Sequence, residues 1–328
     1  MNTGDRLKRL KRKVQEAQTN EELAVALAEE AKDDGDRLEH GAQPAVIATV
    51  GVAGLAALAF WAANTGHAGF GLAWTVAAIA IGAGAYAFYL HDRWSKVENL
   101  VNEVYQNNLA GLTPVSTSAE SLSAFGEYQR GNYSREIRRV ALGSREVNGE
   151  KLAFSAVDYH WVNEVRWVET YTDQNGNVRQ RQRVRYDHFD RSGISVKVGV
   201  FGPVAIFQND GFARPTTSWT TADPRFNKHF EVACQREMDA ATILKPAVVD
   251  RLVEFTKLAR GVNIEFNGAG RMLVSFWPTN LFATEGPAPS ILRLAEAADI
   301  VRSEATQPLL DAFFEVVAEV HRHARRAR

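Results

Sequence analysis

NEVRWVETYTDQNGNVRQRQRVRYDH, residues 163–188, decides how the centre of this chain folds, because its reading sets the register of a long hairpin. Arg179, Arg181, Arg183 and Arg185 stand on alternate positions, the spacing of side chains on one face of a β-strand. Asn175-Gly176 is a type I′ turn signal with apolar alternation on both sides. With those two residues as the loop, Trp167 faces Val184 and Val165 faces Tyr186, and Trp161 extends the same aromatic face. The other face then sets Arg185 against Arg166, Arg183 against Val168, Arg181 against Thr170 and Arg179 against Thr172, while Glu164 meets Asp187. Guanidiniums crowded on one side repel, so that face is expected to meet an anion or open water.

The same register sets His188 opposite Asn163 on the tryptophan face and His160 opposite Arg191 on the basic face. The two histidines are therefore not expected to share a metal. No HExxH, nucleophile elbow, Walker loop or GxGxxG occurs. A single cysteine, Cys234, excludes an internal disulfide framework and a multi-thiolate zinc site. The reading leans away from an enzyme, with no catalytic residue, metal ligand or cofactor expected. The 38 Lys+Arg against 39 Asp+Glu remove any whole-chain case for nucleic acid. Locally, Tyr and Trp lie across from the arginines rather than between them, as base stacking would need.

Residues 45–63 and 72–90 contain no charged side chain, and each approaches the ~20 apolar residues that span a bilayer as a helix. They read as a transmembrane hairpin. The connection 64–71 lacks Lys and Arg, whereas Arg6, Lys8, Arg9, Lys11, Arg12 and Lys13 precede the pair and Arg93 and Lys96 follow it. Basic residues stay on the cytoplasmic side, so both termini are expected there, with two spans in an inner membrane.

Around the spans the chain reads as helix, then sheet, then helix. Residues 1–43 form a helical arm, with Leu7, Leu10 and Val14 on one stripe and a capping box at Thr19 and Glu22. The arm suits self-association, a basic helix on the inner leaflet, or a solvated extension. Residues 44–90 form the two-helix anchor and 91–113 a juxtamembrane helix. Residues 114–286 read as a mixed, mostly antiparallel β domain with helices, including an Asn148-Gly149 turn and a hairpin at Asn267-Gly268. Residues 287–328 are C-terminal helices, whose Leu309, Leu310, Phe313, Phe314, Val317 and Val320 need a partner: the β domain, a second protomer or a membrane surface. The fold class is thus a membrane-anchored α+β protein with helical extensions at both ends.

DPRFNKHFEVACQREMDAATILKPAVVDRLVEF, residues 223–255, resembles the hallmark segment of an uncharacterised bacterial family, domain of unknown function 3137. Phe226, Asn227, Phe230, Val232, Ala240, Ile243, Leu244, Pro246, Leu252 and Phe255 fill the family's pattern, and Gly199, Val200 and Phe201 match a preceding strand. Arg236, Thr242 and Lys245 depart from it. The likeness covers roughly 40–280 and implies a two-span hairpin with a cytoplasmic domain, without implying an activity. Read physically, Phe226, Phe230, Val232 and Leu244 are core positions, Asn227 ties a turn and Pro246 starts a helix.

These readings together point to a scaffold or adaptor at the inner leaflet. It would bind a protein partner or itself through Arg166, Arg179, Arg181, Arg183 and Arg185 and the terminal helices. A membrane-tethered enzyme and an organiser binding anionic lipid head groups are the alternatives. The bilayer is an expected partner; nucleic acid is not.

Overall fold

The computed structural model describes residues 3–34, 51, 54, 60, 70–115, 123–199, 201–208, 215–277 and 281–326. Its helices are α1 (Thr3–Glu16), α2 (Asn20–Asp34), α3 (Phe70–Leu109), α4 (Pro224–His229), α5 (Glu237–Ile243), α6 (Pro246–Leu258), α7 (Leu294–Arg302) and α8 (Pro308–Arg326). Its strands are β1 (Thr113–Val115), β2 (Ser134–Val147), β3 (Glu150–Thr172), β4 (Val178–Lys197), β5 (Val204–Phe207), β6 (Thr217–Trp219), β7 (Glu231–Cys234), β8 (Asn263–Phe266) and β9 (Arg271–Phe276). Two compact units divide these elements, residues 1–109 with 284–305 and residues 110–283 with 306–328.

The first unit is helical. Leu7, Leu10 and Val14 of α1 are buried with Leu23 and Leu27 of α2, Trp94, Val97, Val101 and Tyr105 of α3, and Leu294 and Val301 of α7. Thr19 Oγ1 accepts from the Glu22 backbone N–H, and Glu22 Oε2 from that of Gln18, so the capping box forms and starts α2. The basic stripe of α1 turns onto α2: Arg9 donates to both oxygens of Glu30, at 2.9 and 2.7 Å, and Lys13 to Glu29. Its apolar and much of its basic face are thereby used within the unit.

Here the transmembrane expectation is corrected. Among the described residues no helix is long and apolar enough to cross a membrane. That overturns the two-span hairpin, the membrane part of the fold class and the inner-membrane location drawn from it. The first expected span, 45–63, falls almost entirely outside the described residues. The second, 72–90, is not a self-contained segment. It is one half of the 40-residue α3, which continues through Asp92, Arg93, Lys96, Glu98 and Glu103 and packs that second half among helices. The uncharged window ends at Leu90, but the helix runs on to Leu109, so composition alone marks no boundary there.

The second unit is one antiparallel nine-stranded sheet, ordered β1-β2-β3-β4-β9-β8-β5-β7-β6. Ile194, Val196, Val204, Ile206, Val232, Ile264, Phe266, Met272 and Val274 alternate onto one face and meet helices α6 and α8. On α8, Leu310, Phe313, Phe314, Val317 and Val320 are buried in this core. The β domain is thus the partner that the apolar face of α8 needed.

The central hairpin outgrows the sheet. The β3–β4 ladder runs from Phe154↔Val196 to Thr172↔Val178. Its neighbours stop earlier: β2 pairs with β3 only as far as Ser134↔Val162, and β9 with β4 only from Ser192↔Phe276 inwards. Residues 163–187 therefore stand as a two-stranded ribbon, paired only with itself.

Candidate functional site

The register of that ribbon is displaced by one residue from the expected pairing. Trp167 lies opposite Arg183, Val165 opposite Arg185, Glu169 opposite Arg181 and Tyr171 opposite Arg179. The turn is the cause. Asp173 accepts at Oδ1 from the backbone N–H groups of Asn175 and Asn177. Gly176 (φ +80°) donates to the Asp173 carbonyl, and Asp173 N–H pairs with the Asn177 carbonyl. The loop is thus a type I turn closed by a left-handed glycine, one residue longer than the type I′ reading. Because side chains alternate, a slip of one residue moves every partner to the other face.

The four alternate arginines therefore share one face with Trp167 and Tyr171, whereas Tyr186 turns to the other. Arg179, Arg181, Arg183 and Arg185 line it with Val165, Trp167, Glu169 and Tyr171, whereas Arg166 lies on the opposite face beside its Glu164 partner. Carboxylates run among the guanidiniums. Arg181 and Arg183 both donate through Nε to Glu169 at 2.7 Å, Arg179 through Nε to Asp173 at 2.7 Å, and Arg185 holds Asp187. The bonds from Arg181 and then Arg183 lower the Glu169 carboxyl to about 2. Arg181 also lies over the Tyr171 ring, 4.9 Å from its centroid. The arginine side chains are 44–63% exposed and their three carboxylates 16–39%. The Nη atoms of Arg179, Arg181 and Arg183 bond no described residue.

The slip also brings the histidines together. His160 pairs with Asp190 across the ladder and Val162 with His188. His160 Nδ1 is 2.8 Å from Asp190 Oδ1, and His160 Nε2 is 3.2 Å from His188 Nδ1. The expectation that they stand on opposite faces is corrected. Among the described residues no group of three or more His, Cys, Asp or Glu side chains could hold a metal ion.

Where β4 leaves β9, a cleft of about 750 Å³ opens along the bare edge of β4. Trp161, Asn163, His188, Phe189, Asp190 and Arg191 line it from the hairpin, with Arg130, Gln208, Lys228, His229 and Trp277 from elsewhere in the unit. Two left-handed glycines shape its walls. A Cβ on Gly131 (φ +87°) would meet the Trp161 Cβ at 2.9 Å, and one on Gly261 (φ +61°) the Trp277 ring at 1.5 Å. Trp161 stacks on Phe189, ring centroids 5.3 Å apart, under the Arg130 guanidinium at 5.1 Å.

Behind this wall lies a buried charge network. Glu127 is 1% exposed and accepts from Tyr159 Oη at 2.7 Å, Arg130 at 3.0 Å and Asn263 at 3.2 Å, with Arg191 Nε at 2.7 Å. Arg191 also donates to the Gly261 carbonyl and to Ser275 Oγ. Glu265 caps the short helical turn Gly126–Gln129 by accepting from the Gly126 and Glu127 N–H groups. Burial, its leading influence, raises the Glu265 carboxyl to about 7.

The motif residues hold the scaffold. Phe226, Phe230, Val232 and Leu244 are buried in the core. Asn227 accepts from Thr221 Oγ1 and donates to the Thr221 carbonyl, both at 2.8 Å. Asp223 caps α4, and Pro246 stands at the start of α6. The spacing of these residues did not announce the cleft, although Lys228 and His229 sit inside the motif. Their lack of any apolar role was the available signal. Residues 194–321 match the family described as Protein of unknown function (DUF3137). The match supports kinship with that uncharacterised family; it begins at residue 194 rather than near 40, and it runs past residue 280 across α7 and most of α8. No curated protein and no solved structure matches the chain.

Proposed function

We propose that the protein is an adaptor that captures an acidic protein segment on the arginine face of its β3–β4 ribbon. One observation carries this reading: Arg179, Arg181 and Arg183 are each held at Nε by a neighbouring carboxylate, which leaves their planar Nη ends unbonded. Arginine binds carboxylates best through such a preset fork. Alternate strand positions repeat at about 6.4–6.8 Å, the spacing at which an extended partner presents its own alternate side chains. Exposed Val165, Trp167 and Tyr171 add apolar area between the charges. The apolar faces of α1 and α8 are consumed inside their own units, so the ribbon rather than the terminal helices carries the role.

The test is a titration of the full chain with a labelled, extended peptide of alternating Glu and Thr, beside its Lys-Thr counterpart. Saturable binding of the acidic peptide alone, lost in Arg181→Gln/Arg183→Gln, is the expected result. Equal binding by the variant would overturn it. Anionic vesicles bound by the wild type in place of the peptide would assign the face to lipid head groups, and a concentration-dependent mass without peptide would assign it to a second copy.

A further inference from the structure

Independently of the ribbon, we propose that the cleft at the fork of β4 and β9 binds a small planar aromatic anion, a flat ring carrying a phosphate or carboxylate. The argument starts from which polar groups in the cleft are already occupied. Arg130 and Arg191 are engaged by Glu127, and Asp190 by Arg138 and His160. Gln208 Oε1 accepts from the Val262 N–H. Of the groups left, Lys228 supplies a cation and the Trp277 indole N–H a donor, beside the Asn163 amide and the His229 ring. Lys228, His229 and the Trp277 indole N–H form no side-chain bond or ion pair among the described residues.

The apolar part of the ligand has an equally specific place. Trp161 is spent, stacked between neighbours and 5% exposed. Trp277 is not: it is 53% exposed, and its ring lies against a residue that lacks a side chain. A tryptophan seated on a left-handed glycine, in the same cleft as the unpaired Lys228, offers one open ring face for stacking. Burial of a large side chain would have been the stabilising alternative, and the chain forgoes it at this position. The cleft volume accommodates one such ligand with room for water.

His188 completes the assignment. With both rings neutral, Asp190 accepts from His160 Nδ1–H and His160 Nε2 accepts from His188 Nδ1–H. That leaves His188 Nε2 as a lone pair in the cleft wall, able to take a hydrogen bond from a donor on the ligand ring.

Quenching of tryptophan fluorescence tests this on the full chain. The probes are adenosine monophosphate for the phosphate source and 4-hydroxybenzoate for the carboxylate source, with adenosine and inorganic phosphate as the half-ligands. Saturable quenching by one anionic ring compound at submillimolar concentration is expected, with its half-ligands at least about tenfold weaker. Trp277→Ala and Lys228→Gln should each weaken it about tenfold or more while far-ultraviolet dichroism stays unchanged. Lys228 is exposed, so its variant retains the test if Trp277→Ala disturbs the fold. No saturable quenching by either compound, unchanged affinity in Lys228→Gln, or inorganic phosphate binding as tightly as the nucleotide would overturn the proposal.

Discussion

His160 Nε2 lies 3.2 Å from His188 Nδ1, and the other nitrogen of His160 lies 2.8 Å from Asp190. A carboxylate accepts only, so in the neutral pair the proton on His160 belongs at Nδ1 and the proton between the rings belongs to His188. Both imidazoles are then Nδ1–H tautomers, the minority form of free histidine. Nitrogen-15 NMR of the two rings should show this pattern. In Asp190→Ala the His160 ring should lose its fixed tautomer, and the His188 ring should follow. Two unperturbed Nε2–H spectra in the wild type would contradict the geometry.

That pair also shows what the sequence concealed. The period of the strands, the length of the hairpin, the capping box at Thr19 and Glu22 and the core role of Phe226, Phe230 and Val232 follow from local patterns and were legible. The faces were not, because they depend on one residue of register. Asn148-Gly149 does form the two-residue loop, with φ of 52° and 78°, and Val147 pairs with Glu150. Asn175-Gly176 does not, because Asp173 Oδ1 accepts from the N–H groups of Asn175 and Asn177. An aspartate three positions before the glycine was the overlooked signal. The cleft was illegible for a different reason: its walls come from β4, α4 and the chain after β9, brought together only by the sheet.

The two turns should respond differently to substitution. Asn148→Val places a β-branched residue at φ 52° and should cost about 1–2 kcal/mol. Asn175→Val meets no positive φ and should cost less, whereas Gly176→Ala, at φ +80°, should cost about 1 kcal/mol. Urea midpoints of the three variants check the order; equal costs at the two asparagines would show that both turns are of one type.

Glu127 holds Tyr159, Arg130, Asn263 and Arg191 at once. Removing a buried carboxylate leaves buried cations unpaired, a loss of about 3–5 kcal/mol. Glu127→Ala should therefore unfold at much lower urea, while Tyr159→Phe, which removes one bond, should cost about 1–2 kcal/mol. Near-equal midpoints for Glu127→Ala and wild type would mean that the network contributes little.

Gly261→Ala tests the cleft without touching its polar groups. A Cβ there would fall 1.5 Å from the Trp277 ring, at a φ of +61°. The exposed ring can swing away, so the stability loss should be modest, about 1 kcal/mol from the backbone. The larger effect should be on the tryptophan emission maximum, as Trp277 leaves its seat. An unchanged spectrum would show that the ring does not rest on Gly261 in solution.

Glu265 gives the pH dependence its sign. Its carboxyl rises from 4.5 to about 7, chiefly through burial and also through Glu127, against the pull of the Gly126 and Glu127 N–H groups and Arg130. Between those values the folded chain keeps a proton that the unfolded chain has released. Folding thus takes up a proton there, and stability falls as pH rises through the window. This is the reverse of a salt-bridged carboxylate such as Asp239, which Arg236 holds below its ordinary value. In Glu265→Gln the group is neutral at every pH, so the wild type should lose ground to the variant as pH rises from about 5 to about 7.5, by on the order of 3 kcal/mol at most. Urea unfolding of both proteins at each pH measures the difference. If it stays flat, the two N–H groups outweigh burial and Glu265 is already ionised at the acid end of the window.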